Sequence, residues 1–212
     1  MTVAAPTIRG RRVTLRPYAA GFTDAEVDRI HAWSRDDELL DLAGGTRVTL
    51  PPQQFRRAFL RRARHRNGER EQQFAILDDR GRLIGRTGLY GLDPRSASAE
   101  LGILVGQKDC WGRGYGRDAV SALCRHGFAD LGLKRIVLYT YPHNVRAQRA
   151  FAAVGFRAVR KLRRFSLERG IHVQLEMDLL PSRLRLCPGA AAPADGSAVA
   201  PQRTARLPAV GK

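Results

Sequence analysis

Residues 101–116 read LGILVGQKDCWGRGYG, and residues 117–132 continue RDAVSALCRHGFADLG. A β-like apolar run gives way to glycines at alternate positions, Gly112, Gly114 and Gly116, and a helical pattern begins at once. Val120, Leu123, Cys124 and Phe128 then recur at helical spacing and Gly132 supplies a stop, which predicts a helix over 115–131. Alternate glycines let a backbone turn sharply and bring its N–H groups close to a ligand. A helix start adds unpaired donors and the positive end of a dipole. The stretch therefore predicts a strand, a phosphate-binding turn and a helix in succession, with Arg113 and Arg117 interleaved where phosphate charge needs neutralising.

The spacing narrows the ligand. An ATP-binding loop needs a Lys-Ser/Thr pair after its last glycine, and Arg117-Asp118 stands there instead. A dinucleotide loop needs G-x-G-x-x-G in a parallel βαβ unit, with an acidic residue about 20 positions on. Here the third glycine comes one position early, and Arg135 to Val137 hold no acid. A plain turn has no use for three glycines with arginines between them.

Working outward, residues 13–16 form a candidate edge strand. Thr23 and Glu26 make a capping box for a helix over 24–34. A second helix over 53–66 carries Phe55, Phe59 and Leu60 on one face and arginines on the other. Strands follow over 73–78 and 83–89, joined by the tight turn Asp79-Arg80-Gly81, and a third over 99–105 leads into the glycine loop. Beyond the long helix come a strand over 135–141, a helix over Val145–Val154 closed by Gly155, and strands over 156–163 and 173–179. The order β–α–α–β–β–β–α–β–α–β–β predicts mixed α/β: about seven strands, four helices and an early antiparallel meander. From Pro181 the chain turns rich in Ala, Pro and Gly without apolar period, so residues 181–212 are expected to be a disordered tail after a domain over 1–180.

The chain has 212 residues, 43% hydrophobic, enough for one cored domain. Its net charge of +17 points to anionic partners: nucleic acid, the ribosome, a membrane surface or a phosphorylated cofactor. Lysine occurs only at Lys108, Lys134, Lys161 and Lys212, however, and arginine richness beside alanine and glycine also reflects a GC-rich genome. Cys110, Cys124 and Cys187 are odd in number and widely spaced, so neither a disulfide framework nor a zinc site is expected, and a reducing cytoplasm is the natural home. His65, His126 and His172 likewise show no metal spacing. No apolar run approaches the ~20 residues of a membrane helix, and MTVAAPTIRGRR lacks a signal-peptide core.

Four ordered pieces now carry a resemblance: TLRPY near the N-terminus, AELGILVG on the strand, WGRGYGRDAV at the loop and NVRAQRAFAAVGF after the next strand. Together they resemble the GNAT N-acetyltransferases, nearest the branch of ribosomal-protein-alanine and spermidine N-acetyltransferases, over residues 7–180. Trp111 stands at the first position of the family's loop motif. The resemblance implies acetyl-CoA as co-substrate, its pyrophosphate cradled by Trp111, Gly112, Arg113, Gly114, Tyr115, Gly116 and Arg117, and a central sheet splayed where the pantetheine arm pairs with Ile103, Leu104 and Val105. Asn144 matches a family asparagine that contacts the cofactor or orders the loop, and it equally suits a helix N-cap. Arg146 and Arg149 are candidates for the phosphates, and Phe151, at the place where many members carry a tyrosine general acid, is a candidate cofactor contact.

The implied reaction is direct acetyl transfer to a primary amine, which attacks only when neutral. Glu100 matches a glutamate that is the general base in some relatives; a strand-end salt bridge is the competing reading. A strand N–H near Leu104 or Val105 would stabilise the developing oxyanion. Tyr139 and Tyr141 are candidates for the general acid. Trp33, Asp37 and Glu38, in an acidic and aromatic cluster unusual for so basic a chain, are candidates for holding a cationic acceptor. The acceptor class stays open among a protein N-terminus, a polyamine and another small amine, and a homodimer is expected. The competing function is a catalytically weakened member that binds RNA or the ribosome through its basic surface.

Overall fold

A computed structural model of the chain describes residues 5–187 except 65, 66, 69 and 168. The sheet is built from β1 (Ile8–Arg9), β2 (Thr14–Pro17), β3 (Asn67–Gly68), β4 (Glu71–Leu77), β5 (Leu83–Asp93), β6 (Ser98–Val105), β7 (Arg135–Thr140), β8 (Arg157–Ser166) and β9 (Gly170–Leu179). Helices α1 (Asp24–Trp33), α2 (Asp37–Ala43), α3 (Pro52–Arg64), α4 (Tyr115–Ala129) and α5 (Val145–Val154) cover it. Strand order is β1-β2-β4-β5-β6-β7-β9-β8, with β3 beside β4. Only β6 and β7 run parallel among these pairs. This is the expected mixed α/β fold, with three additions: the two-residue strands β1 and β3, and α2. The α3 helix ends at Arg64; the predicted extension to residue 66, and His65 with it, lies outside the described residues.

Period-2 alternation sorts each strand's side chains to two faces. Leu15, Phe74, Ile84, Leu89 and Leu101 meet Val120 and Leu123 of α4 and Phe151 and Val154 of α5 in the main core. On the other face Ala75 and Leu83 pack under Ile30, Trp33 and Leu39, with Phe55 and Phe59 of α3 closing the layer. The capping box forms as read: Thr23 Oγ1 accepts from the Glu26 N–H at 3.3 Å, and Glu26 Oε2 accepts from the Thr23 N–H at 2.9 Å. Such a cap contributes about 1 kcal/mol.

Two features position the site. First, β6 and β7 pair only at Ser98↔Arg135, Ala99↔Ile136 and Glu100↔Val137. Beyond Glu100 the two strands part, while β6 stays paired to β5 up to Gly85↔Val105. The bulge lies on β5, where Gly91 and Leu92 face the single Ala99 and Gly91 takes φ +58°. The bulge thus sits on the strand beside β6, level with the start of the parting. Second, the segment after β9 is not tail throughout. The Arg185 N–H donates to Val154 O at 2.8 Å, and Cys187 is buried. A side chain at Gly155 would collide with Arg183 O, so residues 181–187 lie against the end of α5, whereas 188–212 fall outside the described residues.

Candidate active site

The glycine loop takes the form its sequence requires. Gly112 and Gly114 adopt φ +72° and +86°, the left-handed region that disfavours any residue with a Cβ. Gly114 is the N-cap of α4, and no side chain caps that helix. Its first-turn N–H groups thus open onto the loop without a side-chain acceptor, which is the arrangement an anion fills. Arg113 and Arg117 are exposed beside them. Gly116 lets the helix approach the strand, since a Cβ there would touch Val105 Cγ2 at 3.4 Å.

A latch unseen in the sequence fixes this loop. Asp118, buried in the first turn of α4, accepts from the backbone N–H groups of Arg11, Arg12 and Val13 at 3.1, 2.7 and 3.1 Å. That binding places Arg12 over the loop. Its guanidinium donates to Arg113 O at 2.5 Å and to the Tyr115 hydroxyl at 3.2 Å, lying 4.3 Å from the Tyr115 ring centroid. Tyr115 is buried, so it shapes the loop from below.

Trp111 turns inward. Its Nε1–H donates to Val105 O at 2.7 Å, and Arg146 of α5 stacks on its indole at 3.6 Å. The Val105 carbonyl, expected to serve a ligand, is thereby engaged. Leu104 packs into the α1–α3 layer, while Ile103 and Val105 pack against the main core. Arg149 is exposed on α5. Phe151 is a core side chain, its ring 6.1 Å from that of Phe156. Asn144 is used at both ends of its amide. Oδ1 caps α5 by accepting from the Ala147 N–H at 3.2 Å, and Nδ2 donates to Leu42 O at 3.0 Å, tying α5 to α2.

Two cavities that share Gly44, Gly45 and Thr46 open on the α1–α3 face. The smaller, about 380 Å³, brings together Glu100, Tyr139 and Tyr141, with Arg164, Arg169 and His172 from the β8–β9 hairpin. Glu100 is exposed at the cavity wall, yet partial desolvation there raises its pKa above the ordinary glutamate value, and the Arg164 charge opposes that shift. Arg164 lies 5.1 Å from the Tyr139 ring centroid. Tyr141 is buried, with Arg169 at 4.7 Å and a stacked His143 at 5.4 Å, and a side chain at Gly44 would strike its hydroxyl. The larger cavity, about 500 Å³, is walled by α1, α2 and α3 above β4, β5 and β6. Tyr90 and Gly102 line its base, the Tyr90 ring lying over the cross-strand pair Gly88↔Gly102; a Cβ at Gly102 would come within 2.9 Å of that ring.

Each carboxylate of the acidic cluster has a basic partner. Lys108 Nζ meets Asp36 at 2.8 Å and Glu38 at 2.7 Å, Asp37 pairs with Arg47, and Asp41 meets Arg169 at 3.1 Å and His143 at 3.2 Å. Of the three residues expected to hold an acceptor, Trp33 lines the larger cavity, packed flat against Gly106, whereas Asp37 and Glu38 line neither. Among the described residues no cluster of metal-ligating side chains occurs, and no helix is long and apolar enough to cross a membrane.

A family model described as Acetyltransferase (GNAT) domain matches residues 12–157. The chain belongs to the GNAT acetyltransferase family. Among curated relatives, the "Uncharacterized N-acetyltransferase p20" of Bacillus licheniformis is 27% identical over 116 residues, which is 55% of this chain and 65% of that one. An "N-acetyltransferase 9-like protein" of Nematostella vectensis is 25% identical over 159 residues, covering 69% of this chain and 75% of its own. The "Uncharacterized N-acetyltransferase YoaA" of Bacillus subtilis is matched over 51% of its length, so the first two bacterial relatives are each spanned over less than two thirds. Solved structures share the fold. A GCN5-related N-acetyltransferase from Brucella melitensis superposes with TM-score 0.69 at 20% identity, over 86% of this chain and 82% of that one. The spermidine N-acetyltransferase of Vibrio cholerae, solved with CoA and spermine, does so with TM-score 0.67 at 19% identity, over 81% and 97%. Within this GNAT domain the glycine loop joins β6 to α4, and Asn144 caps α5. Asp118, Arg12, Arg164 and Arg169 were missed, because their roles depend on partners far away in sequence. Asp118 left one faint signal, an acid in an otherwise basic loop-to-helix junction.

Proposed function

We propose that the protein is an acetyl-CoA-dependent N-acetyltransferase acting on a primary amine. The observation that carries this reading is the parting of β6 from β7 after Glu100↔Val137, beside an α4 start that has glycines at φ +72° and +86° and no side-chain cap. A strand edge left open offers N–H and C=O groups to an amide-bearing chain, and an uncapped helix start offers donors to a pyrophosphate. Acetyl-CoA has both parts, and it supplies an activated acetyl thioester. Residues 112–117 would hold the pyrophosphate, helped by Arg12 through its grip on Arg113 O, and the β6 edge from Leu101 onward would hold the pantetheine arm.

The remaining steps fall to the protein's own groups. Glu100, at the mouth of the gap and in the wall of the smaller cavity, receives the amine's proton, directly or through water. Tyr139 shares that cavity and is the better placed of the two tyrosines to hand a proton to the departing thiol; Tyr141 is held by packing. The test is calorimetric titration with acetyl-CoA, followed by thiol release over an amine and peptide panel. Micromolar binding that is lost in Gly114→Val, with thiol release on at least one amine, is the expected result. No heat of binding in the wild type refutes the proposal.

A further inference from the structure

The two cavities on the α1–α3 face contain, among the described residues that line them, a single carboxylate, Glu100, against four guanidinium groups. Arg169 is paired with Asp41, and Arg164 lies over Tyr139 near Glu100. The other two, Arg62 and Arg86, line the larger cavity, and no hydrogen bond or ion pair engages either among the described residues.

Arg86 is the odder of the pair. It sits mid-way along β5, a central strand, with Ala75 and Leu104 as its cross-strand neighbours. It is the one charged residue in LIGRTGLYG, residues 83–91. Arg86 and Arg62 are both exposed in the open cavity, so an incoming carboxylate reaches them without displacing a protein partner. Arg62 enters from the α3 roof and carries the same charge, so an anion between them relieves repulsion as well. Such a cavity disfavours a substrate whose only polar groups are cations. Along the sheet, Arg86 and Glu100 share one face, since Tyr90 pairs with Glu100 four residues beyond Arg86. At a strand rise of about 3.3 Å per residue their Cα atoms stand roughly 13 Å apart along the strands, too far for the neighbouring charges of an α-amino acid.

We infer that the acceptor is a small amine carrying a carboxylate several bonds away, the acid bound by Arg86 and Arg62 and the amine presented to Glu100. This rests on the acetyl-transfer reading and specifies its acceptor. In the step, the amine nitrogen bonds to the thioester carbonyl carbon and the C–S bond breaks. The sulfur leaves with the electron pair and is protonated to the thiol, and the nitrogen's proton passes to Glu100 or water.

Three acceptors with one six-carbon chain test this: 6-aminohexanoate, hexylamine and 1,6-diaminohexane. Thiol release with acetyl-CoA gives kcat/KM for each, and calorimetry with the acetyl-free chains gives their affinities. In the wild type, 6-aminohexanoate leads the diamine by about tenfold or more in kcat/KM or, where turnover is too slow to measure, in affinity, as one charge-assisted contact implies. Arg86→Gln abolishes the lead and Arg86→Glu reverses it, while acetyl-CoA affinity is unchanged. A diamine that binds or reacts as well as 6-aminohexanoate overturns the inference, as does a ranking unmoved by either substitution or a failure of 6-aminohexanoate to bind at all. Loss of acetyl-CoA binding in the wild type instead removes the donor reading, and the affinity ranking still judges the preference for an acid.

Discussion

Replacing Asp118 by alanine separates the fastening of the phosphate loop from the loop itself. The carboxylate accepts three backbone N–H groups at 2.7–3.1 Å, and the donor at Val13 is buried. Hydrogen bonds to a charged group contribute roughly 1.5–3 kcal/mol each, and neighbouring ones do not add fully. The alanine variant strands all three donors, so a loss of about 3–5 kcal/mol is expected. In a domain of this size 1 kcal/mol moves Tm by about 2–4 °C, giving a fall of ~10–15 °C. Thermal unfolding followed by circular dichroism measures it. Acetyl-CoA affinity should fall too, because the segment that carries Arg12 to Arg113 O and Tyr115 is released. Gly10→Ala attacks the same latch from the other side: its Cβ would stand 2.6 Å from Asp118 Oδ2. The two substitutions should therefore be strongly non-additive. A Tm for Asp118→Ala within about 2 °C of wild type, or full additivity with Gly10→Ala, would show that the latch holds nothing.

Gly114→Ala places a side chain at φ +86°, with a strain of about 1–2 kcal/mol; acetyl-CoA affinity measured by calorimetry should drop further than global stability does. Glu100→Gln should lower kcat at neutral pH and remove the acidic limb of the rate profile. That limb lies above the ordinary glutamate value because partial desolvation raises the Glu100 pKa. The sign for stability is opposite: a raised carboxylate pKa disfavours the ionised folded state, a penalty present at neutral pH and lost as pH falls through the folded and then the unfolded value. Glu100→Gln should therefore unfold at a slightly higher temperature than wild type at pH 7 and show no such gain at pH 4. Asn144→Ala loses the α5 cap and the tie to Leu42 O, a cost of about 1–2 kcal/mol in urea unfolding, with faster proteolysis near α2.

Local chemistry made α1, α4 and α5 legible: a capping box, a glycine start and an Asn–Gly bracket each act within a few residues. The α2 helix was not legible, because it has seven residues and buries only Leu39, too little for an apolar period to register. Its Asp36 cap and its neighbours Asp37, Glu38 and Asp41 read instead as a free acidic cluster, since the basic partners Lys108 and Arg169 arrive from remote parts of the chain. Phe151 was read from its place in the family motif alone, and the structure adds that it packs in the core. Glycine spacing pointed to the loop we propose for the donor, whereas Arg86, the residue we assign to the acceptor, looked like an ordinary polar position in an alternating strand.

The short β6–β7 ladder has a mechanical side. Three residue pairs join the strands β1 to β6 to the strands β7, β9 and β8, and beyond them the two ribbons are held together by the α4–α5 layer and by Arg146 resting on Trp111. A sheet seamed this way is stiff in each half and compliant at the join. A ligand that threads the seam with amide groups of its own would supply the missing rungs, so the stiffness of the join would depend on occupancy as well as on sequence.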